Sequence, residues 1–201
     1  MGSEVAMDMR GKILVQIEES IRVKKSLIER ADVLLAIAVE MAKALKNGNK
    51  VVLFGNGGSA ADAEHIATEL SGRFARDRAP LAAIALSAST TTVTAIANDY
   101  GYEMVFSRQV RGIARAGDVV VGISTSGESN NVILGIEEAN RIGAVTVAFT
   151  GARGRLSKVA QIVLTVPSRE TPRIQEVHIL AGHIVCGLVE DALFGPGEVK
   201  K

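Results

Sequence analysis

His65 and Glu69 stand four residues apart in the stretch GNGGSAADAEHIATEL. On a helix that spacing puts an imidazole and a carboxylate on one face, where they can share a divalent metal or simply pair at the surface. A second group lies near the other end of the chain, in TPRIQEVHILAGHIV, which sets Gln175, Glu176, His178 and His183 on one amphipathic helix. His183 is about 80° round that helix from Gln175 and about 20° from Glu176, so helical geometry alone ranks Glu176 as its nearer partner. His178 points elsewhere and is read as a packed residue or as support for a ligating one.

Two loops carry a different chemistry. In GNGGS, Gly57 and Gly58 allow a tight turn and a close approach to a ligand, and Ser59 is placed to cap the helix that follows. Such a helix start attracts anions. It is neither the dinucleotide fingerprint nor a Walker A loop. In ISTSGES, Ser124, Thr125, Ser126 and Ser129 set four hydroxyls around Gly127. Hydroxyls and free helix N–H groups make a neutral cradle for a phosphate. No Lys or Arg lies inside that loop, which suits a sugar phosphate better than a transferring phosphoryl group. IANDYG supplies Asn98 and Asp99, to bind sugar hydroxyls or merely to cap and turn. Cys186 lies on an apolar helix face and is expected to be buried, and Arg73 can pair with an acid or reach a neighbouring subunit.

The elements that must position these residues follow from the apolar pattern. Residues from about Gly11 to Asn47 have helical periodicity, with a break expected near Glu29 to Asp32 and a C-cap at Asn47 and Gly48. The opening MGS is left out of fold reasoning. Five short apolar runs follow: VVLFG, LAAIAL, DVVVGIS, AVTVAFT and QIVLTV. None alternates cleanly, so each is expected to be buried on both faces of a parallel sheet. Helices are expected at Ser59–Arg76, at Ser89–Arg115 with a break near Gly101, and at Ser129–Ile142, with a short turn around Leu156. A last helix runs from Pro172 to about Phe194, where FGPG ends it. This alternation predicts a doubly wound α/β sheet whose ligand lies beyond the carboxyl ends of the strands.

With 201 residues, the chain fits one domain with a real core. A net charge of +1 gives no nucleic-acid face and no polybasic membrane patch, and aromatics at 3% argue against base stacking. No apolar run is expected to reach the roughly 20 residues that span a bilayer, and the N-terminus lacks the apolar core of a secretory signal. The single cysteine rules out an internal disulfide. Together these favour the cytoplasm.

GNGGSAADAEH, IANDYGYE, GISTSG and RIQEVHILAGHI, in this order and spacing, resemble the sugar isomerase (SIS) domain family and, within it, the phosphoheptose isomerases. The resemblance covers roughly residues 10 to 195. It implies a three-layer α/β/α sandwich around a five-stranded parallel sheet, flavodoxin-like, in a single SIS domain over 1–201. N-terminal helices at about 10–48 would pack a homotetramer, and the core and C-terminal helix would occupy about 49–195. It implies conversion of sedoheptulose 7-phosphate to D-glycero-D-manno-heptose 7-phosphate. That step begins bacterial synthesis of ADP- or GDP-activated heptose for lipopolysaccharide core or capsule.

The resemblance also implies one Zn²⁺ per subunit on His65, Glu69, Gln175 and His183, in active sites at subunit interfaces. Here it departs from the helical ranking of Glu176, and the resemblance is followed. Substrate contacts fall on Asn56, Gly57, Gly58, Ser59, Glu69, Ser124, Thr125, Ser126, Ser129 and Gln175, with Asn98 and Asp99 near the sugar. Some members carry an acid immediately before RIQE, where this chain has Pro172.

Aldose–ketose interconversion moves one proton between C1 and C2 through an enediol. Glu69 is the natural base at carbon and His183 the natural acid at oxygen. A carboxylate bound to zinc is a poorer base, so Glu69 cannot be a full-time ligand and a free base at once. Two readings from other classes compete: a non-catalytic SIS protein that binds the replication initiator DnaA, and a sugar-phosphate-sensing module. As the family comparison stands, the initiator-binding relative lacks the acid and the histidine that match Glu69 and His183.

Overall fold

The computed structural model describes residues 3–195, with side chains from residue 8 onward. Helix α1 (Ser3–Lys25) passes through a 3₁₀ turn (Ser26–Arg30) into α2 (Ala31–Lys46). The expected break is thus present, but the first helix begins earlier than the expected Gly11. Asn47 caps α2, and Gly48 turns the chain at φ +79°, a region that favours glycine.

Then come β1 (Val51–Gly55), α3 (Gly58–Ser71), β2 (Ala83–Ala85), α4 (Thr90–Tyr100) and, after a break at Gly101, a 3₁₀ turn and α5 (Val105–Ile113). The second half runs β3 (Val119–Ser124), α6 (Asn130–Ile142), β4 (Val145–Thr150), α7 (Leu156–Val159), β5 (Ile162–Thr165) and α8 (Thr171–Phe194). Helix α3 stops five residues short of the expected Arg76, leaving an irregular segment before β2. Gly195 follows α8 at φ +85°, and the Pro196 and Gly197 of the expected terminator lie outside the described residues.

The five strands form one parallel sheet in the order β2-β1-β3-β4-β5. Strands β1 and β3 are buried throughout. The edge strands differ from expectation. β2 is only three residues long with Ile84 40% exposed, and β5 is half-buried, because an edge has a neighbour on one side alone.

One core packs Ile37 and Met41 of α2, Ile66 and Leu70 of α3 and Val177 and Val185 of α8 on Val51, Leu53 and Val121. The opposite core packs Phe106 of α5 and Val132 and Ile136 of α6 on Val52, Phe54 and Val120. The rings of Phe54 and Phe106 stack at 4.9 Å. The result is a three-layer α/β/α sandwich, with α1 laid outside on α8. By length and composition α8 is apolar enough to cross a membrane, contrary to the expectation that no run would be. Its apolar residues pack here against α2, α3 and the sheet.

Candidate active site

Only Asn56 and Gly57 separate β1 from α3. Gly57 takes φ +55° and is itself the N-cap, so Ser59 does not cap the helix as expected. The turn is two residues shorter than a Ser59 cap requires, and Ser59 is buried in the first helical turn instead. A Cβ at Gly55 would stand 2.8 Å from Ser59 Cβ and from the Ile123 carbonyl oxygen, so that position needs glycine. Asn56 forms a reciprocal amide pair with Asn131, both bonds 2.9 Å, and accepts a 3.0 Å hydrogen bond from the Tyr102 hydroxyl. Nothing in the sequence marked Asn131 or Tyr102; both reach the turn from elements distant in the chain.

The hydroxyl loop is compact. Ser124, buried at the end of β3, has its Oγ 3.0 Å from Ser129 Oγ and 3.4 Å from Ser126 Oγ. It also accepts the Gly127 N–H at 3.2 Å, and Ser126 accepts that of Glu128 at 3.1 Å. Ser129 is the N-cap residue of α6 but makes no side-chain cap bond. Gly127 (φ +67°) meets Gly154 (φ +135°) backbone to backbone. A Cβ on Gly154 would stand 2.5 Å from Gly127 Cα. Thr125 and Ser126 line a cavity of about 160 Å³ together with Arg153 and Arg169. The loop itself holds no cation, as its sequence required; two arrive from the loops after β4 and β5.

Helices α3 and α8 lie side by side and parallel. Gln175 stands against Gly58, Gly182 against Ile66 and His183 against His65. A Cβ at Gly182 would come within 2.6 Å of Ile66 Cδ1. The bare backbone there lets α8 approach closely and sets the next residue, His183, on α3. Its Nε2 is 3.0 Å from His65 Nε2, which in turn is 3.1 Å from Glu69 Oε1. One ligand atom from each of the three lies within 4.8 Å of the others. Tetrahedral zinc ligands sit about 3.3 Å apart at usual bond lengths. Two of the three separations, 3.0 and 3.1 Å, are close to that value and the third is within 4.8 Å, so the imidazole and carboxylate donors suit Zn²⁺ once His183 and Glu69 draw together.

Gln175 is not in that cluster. Its side chain lies over Gly58, where a Cβ would meet Nε2 at 2.0 Å. Gln175 and His183 are eight positions apart, about 12 Å of helical rise. Glu176, the partner ranked nearer by helical geometry, faces away. It accepts from Ser20 at 2.5 Å and pairs with Arg173 at 2.7 Å, on the side toward α1.

Asn98 and Asp99 lie at the exposed end of α4, bonded to each other at 2.9 Å. Asp99 borders a larger cavity between α4, α5 and β2, of about 550 Å³, which no residue of the hydroxyl loop lines. Asp62, one turn before His65, was not singled out by the sequence. Burial raises its carboxyl to about 6 against the lowering influence of His65, and its Oδ2 is buried without a hydrogen-bond partner. His178 is fully buried beside the Phe149 ring, as a packed residue. Cys186 is buried, and burial pushes its thiol up to about 12, with Glu69 and Glu190 adding to the rise.

Comparison with known proteins agrees with this architecture. The SIS domain family model matches residues 17–151. The chain is 51% identical to the phosphoheptose isomerase of Aquifex aeolicus (strain VF5), over 91% of this chain and 97% of the relative. It is 48% identical to that of Thermodesulfovibrio yellowstonii (strain ATCC 51303 / DSM 11347 / YP87), over 97% and 98%. The solved phosphoheptose isomerase from Neisseria gonorrhoeae superposes with a TM-score of 0.86 at 40% identity, covering 91% of this chain and 99% of that one. The chain belongs to the SIS domain family and, within it, to the phosphoheptose isomerases.

Proposed function

We propose that the protein interconverts sedoheptulose 7-phosphate and D-glycero-D-manno-heptose 7-phosphate. The observation that carries this reading is the His65–Glu69–His183 cluster on two parallel helices whose other ends adjoin the loop after β1. From Gly58 to His65 is about 10 Å of rise along α3, comparable with the reach of an extended seven-carbon chain. The 7-phosphate would then sit among Ser124, Ser126, Ser129 and the turn at Asn56–Gly58, with C1 and C2 at the cluster. Anchoring the remote phosphate gives binding energy that holds the reacting carbons in place. Gln175, against Gly58, is assigned to the substrate side, as are Thr125 and Ser59. Asn98 and Asp99 would reach the sugar only from their exposed position on α4.

In this mechanism Glu69 takes the proton from one carbon and returns it to the other. His183 gives and takes protons at the O1 and O2 oxygens. One Zn²⁺ per subunit would be held by His65, Glu69 and His183 and would supply a Lewis acid that polarises the carbonyl; His183 acts as the proton shuttle only with its Nε2 off the metal, since a metal-bound imidazole nitrogen has no proton to give. Glu69 then needs its second carboxylate oxygen free to act as base. Gln175 lies over Gly58, about two turns of α3 from His65, so in this arrangement it would complete a four-residue set from a second copy of the chain.

The assembly we propose is a homotetramer. Its support is the apolar surface left on the N-terminal helices: Ile13, Val15, Ile17 and Leu35 are exposed, and Ile28 is 77% exposed. A groove of about 390 Å³ beside them is lined by Leu27, Ile28, Leu180, Ile184 and Leu188. We assign the protein to the cytoplasm, where phosphorylated sugars are made, and its product to activated heptose for surface glycans. Turnover of sedoheptulose 7-phosphate followed by NMR, with and without Zn²⁺ and a chelator, tests the reading. Aldose formation that the chelator abolishes is the expected result. No turnover in any arm from a folded oligomer would overturn the assigned reaction.

A further inference from the structure

The segment between α3 and β2 has no regular secondary structure, and Gly72, Arg73, Ala75 and Asp77 along it are exposed. A loop of this kind is ordinarily loose. Here it is fastened at its middle. Glu190 of α8, 1% exposed, accepts the backbone N–H of Phe74 at 3.1 Å and of Ala75 at 3.0 Å. The same carboxylate takes the Arg78 Nε–H at 2.8 Å, and the Arg78 side chain is 2% exposed. Burial alone would raise the Glu190 carboxyl. The Ala75 and Phe74 amides and the Arg78 guanidinium outweigh it and hold the group below the usual carboxylate range.

Arg78 also closes the end of α3. Its guanidinium donates to the carbonyls of Glu69 and Leu70 at 2.8 Å each and of Gly72 at 3.2 Å, groups that a helix end leaves without partners. One buried ion pair therefore ties together the last turn of the helix bearing Glu69, the loop, and α8 seven residues beyond His183. Seven residues are about two turns, so Glu190 and His183 share a face of α8.

The side chain set by this fastening is Phe74. Its ring lies on the His183 imidazole with centroids 5.8 Å apart and planes at 24°. The imidazole also meets His65, with ring centroids at 5.0 Å and planes at 60°. Gly187, one turn after His183, lies beside the ring: a Cβ there would meet Phe74 Cε1 at 3.4 Å, an ordinary contact. We propose that Phe74, held by the Arg78–Glu190 pair, is a positioning residue for His183, fixing the imidazole so that Nε2 faces His65 and Glu69. It rests on the reading of His183 as the acid–base group. Without the ring, His183 is free to turn about its side-chain bonds away from the cluster, and small misplacements of a reacting group cost rate steeply.

The test compares Phe74→Leu, which keeps apolar volume but loses the flat face, with Phe74→Tyr, which keeps it. In the whole protein, Phe74→Leu is expected to lower kcat about tenfold while KM stays within about twofold, and Phe74→Tyr to stay within about twofold of the parent in both. A readout independent of turnover is titration with Co²⁺ alone, followed by its visible absorption. Phe74→Leu should raise the apparent Kd about tenfold and Phe74→Tyr should not. Parent-like kcat and Co²⁺ affinity in Phe74→Leu would overturn the inference, as would equal losses in both variants. Failure of the parent to turn over the sugar phosphate counts against the proposed reaction alone, since the Co²⁺ comparison still decides whether Phe74 orients His183.

Discussion

His65 Nε2 and His183 Nε2 face each other at 3.0 Å. Only one of them can carry the proton between them, and two imidazolium rings at this distance would repel. A divalent cation satisfies both rings and the Glu69 carboxylate without any proton. The cluster thus has the donor set of a divalent-cation site.

In the proposed mechanism, replacing Glu69 by Gln removes the carbon base, and replacing His183 by Gln removes the oxygen acid. Each is expected to lower kcat by about 10² to 10⁴ with the oligomer intact. Turnover by NMR and sedimentation together check this. Either variant retaining full activity would remove that residue from the mechanism.

Gly58→Ala tests the place of Gln175. The new Cβ would stand 2.0 Å from Gln175 Nε2, the far end of a flexible side chain, which must swing away. Alanine is the better helix residue by up to about 1 kcal/mol, so the melting temperature should hold or rise slightly. The expected loss is about tenfold in kcat/KM. Unaltered kinetics would mean that Gln175 over Gly58 serves no step.

Ser124→Ala and the pair Arg153→Ala and Arg169→Ala separate two ways of holding a phosphate. Losing the Ser124 hydroxyl should raise KM roughly five- to tenfold at any salt concentration, the worth of about one hydrogen bond. Losing the two arginines should lower kcat/KM mainly at low ionic strength, since exposed charges act through a screened field. Kinetics at two salt concentrations distinguish them. A salt-independent effect of the arginines would point to direct contact.

His178 gives the fold a pH dependence. Burial holds its pKa down at about 4, against a small lift from the Thr150 backbone, while the unfolded value is 6.5. Between those values the unfolded state binds the proton and the folded state does not. Its stabilising effect is complete above pH 6.5 and is lost as pH falls toward about 4, a loss approaching 3 kcal/mol, on the order of that pKa gap. Asp62 acts in the opposite sense, because its raised carboxyl binds a proton in the folded state first. Urea midpoints at pH 7.5 and 4.5 for the parent and His178→Leu measure the difference. The variant should lose less stability on acidification, and parallel losses would rule His178 out as the cause.

The order of strands and helices was legible because the central strands are apolar on both faces and the breaks at Gly48 and Gly101 fall where the chain adopts positive φ. The edge strands misled, since LAAIAL has the composition of a buried strand while only Ala83–Ala85 pairs, at the rim. His65 and Glu69 were legible through their helical spacing. His183 depended on a partner helix, and periodicity within α8 pointed instead to Glu176, which faces α1. Asn131, Tyr102, Arg153, Arg169 and Asp62 were missed. Their roles come from contacts across the fold or from burial, and neither leaves a pattern in local spacing.

The meeting of Gly127 and Gly154 has a consequence for how this surface can change over generations. Side chains that touch a ligand can be exchanged one at a time, each trial altering affinity a little. Here two loops are moulded against each other through bare main chain, at φ angles that favour glycine and with no space for a Cβ on either side. No single codon change at either position gives a tolerable intermediate, and no compensating change at the other restores the fit. Selection can therefore retune the hydroxyls and arginines around this contact while the contact itself stays closed to drift.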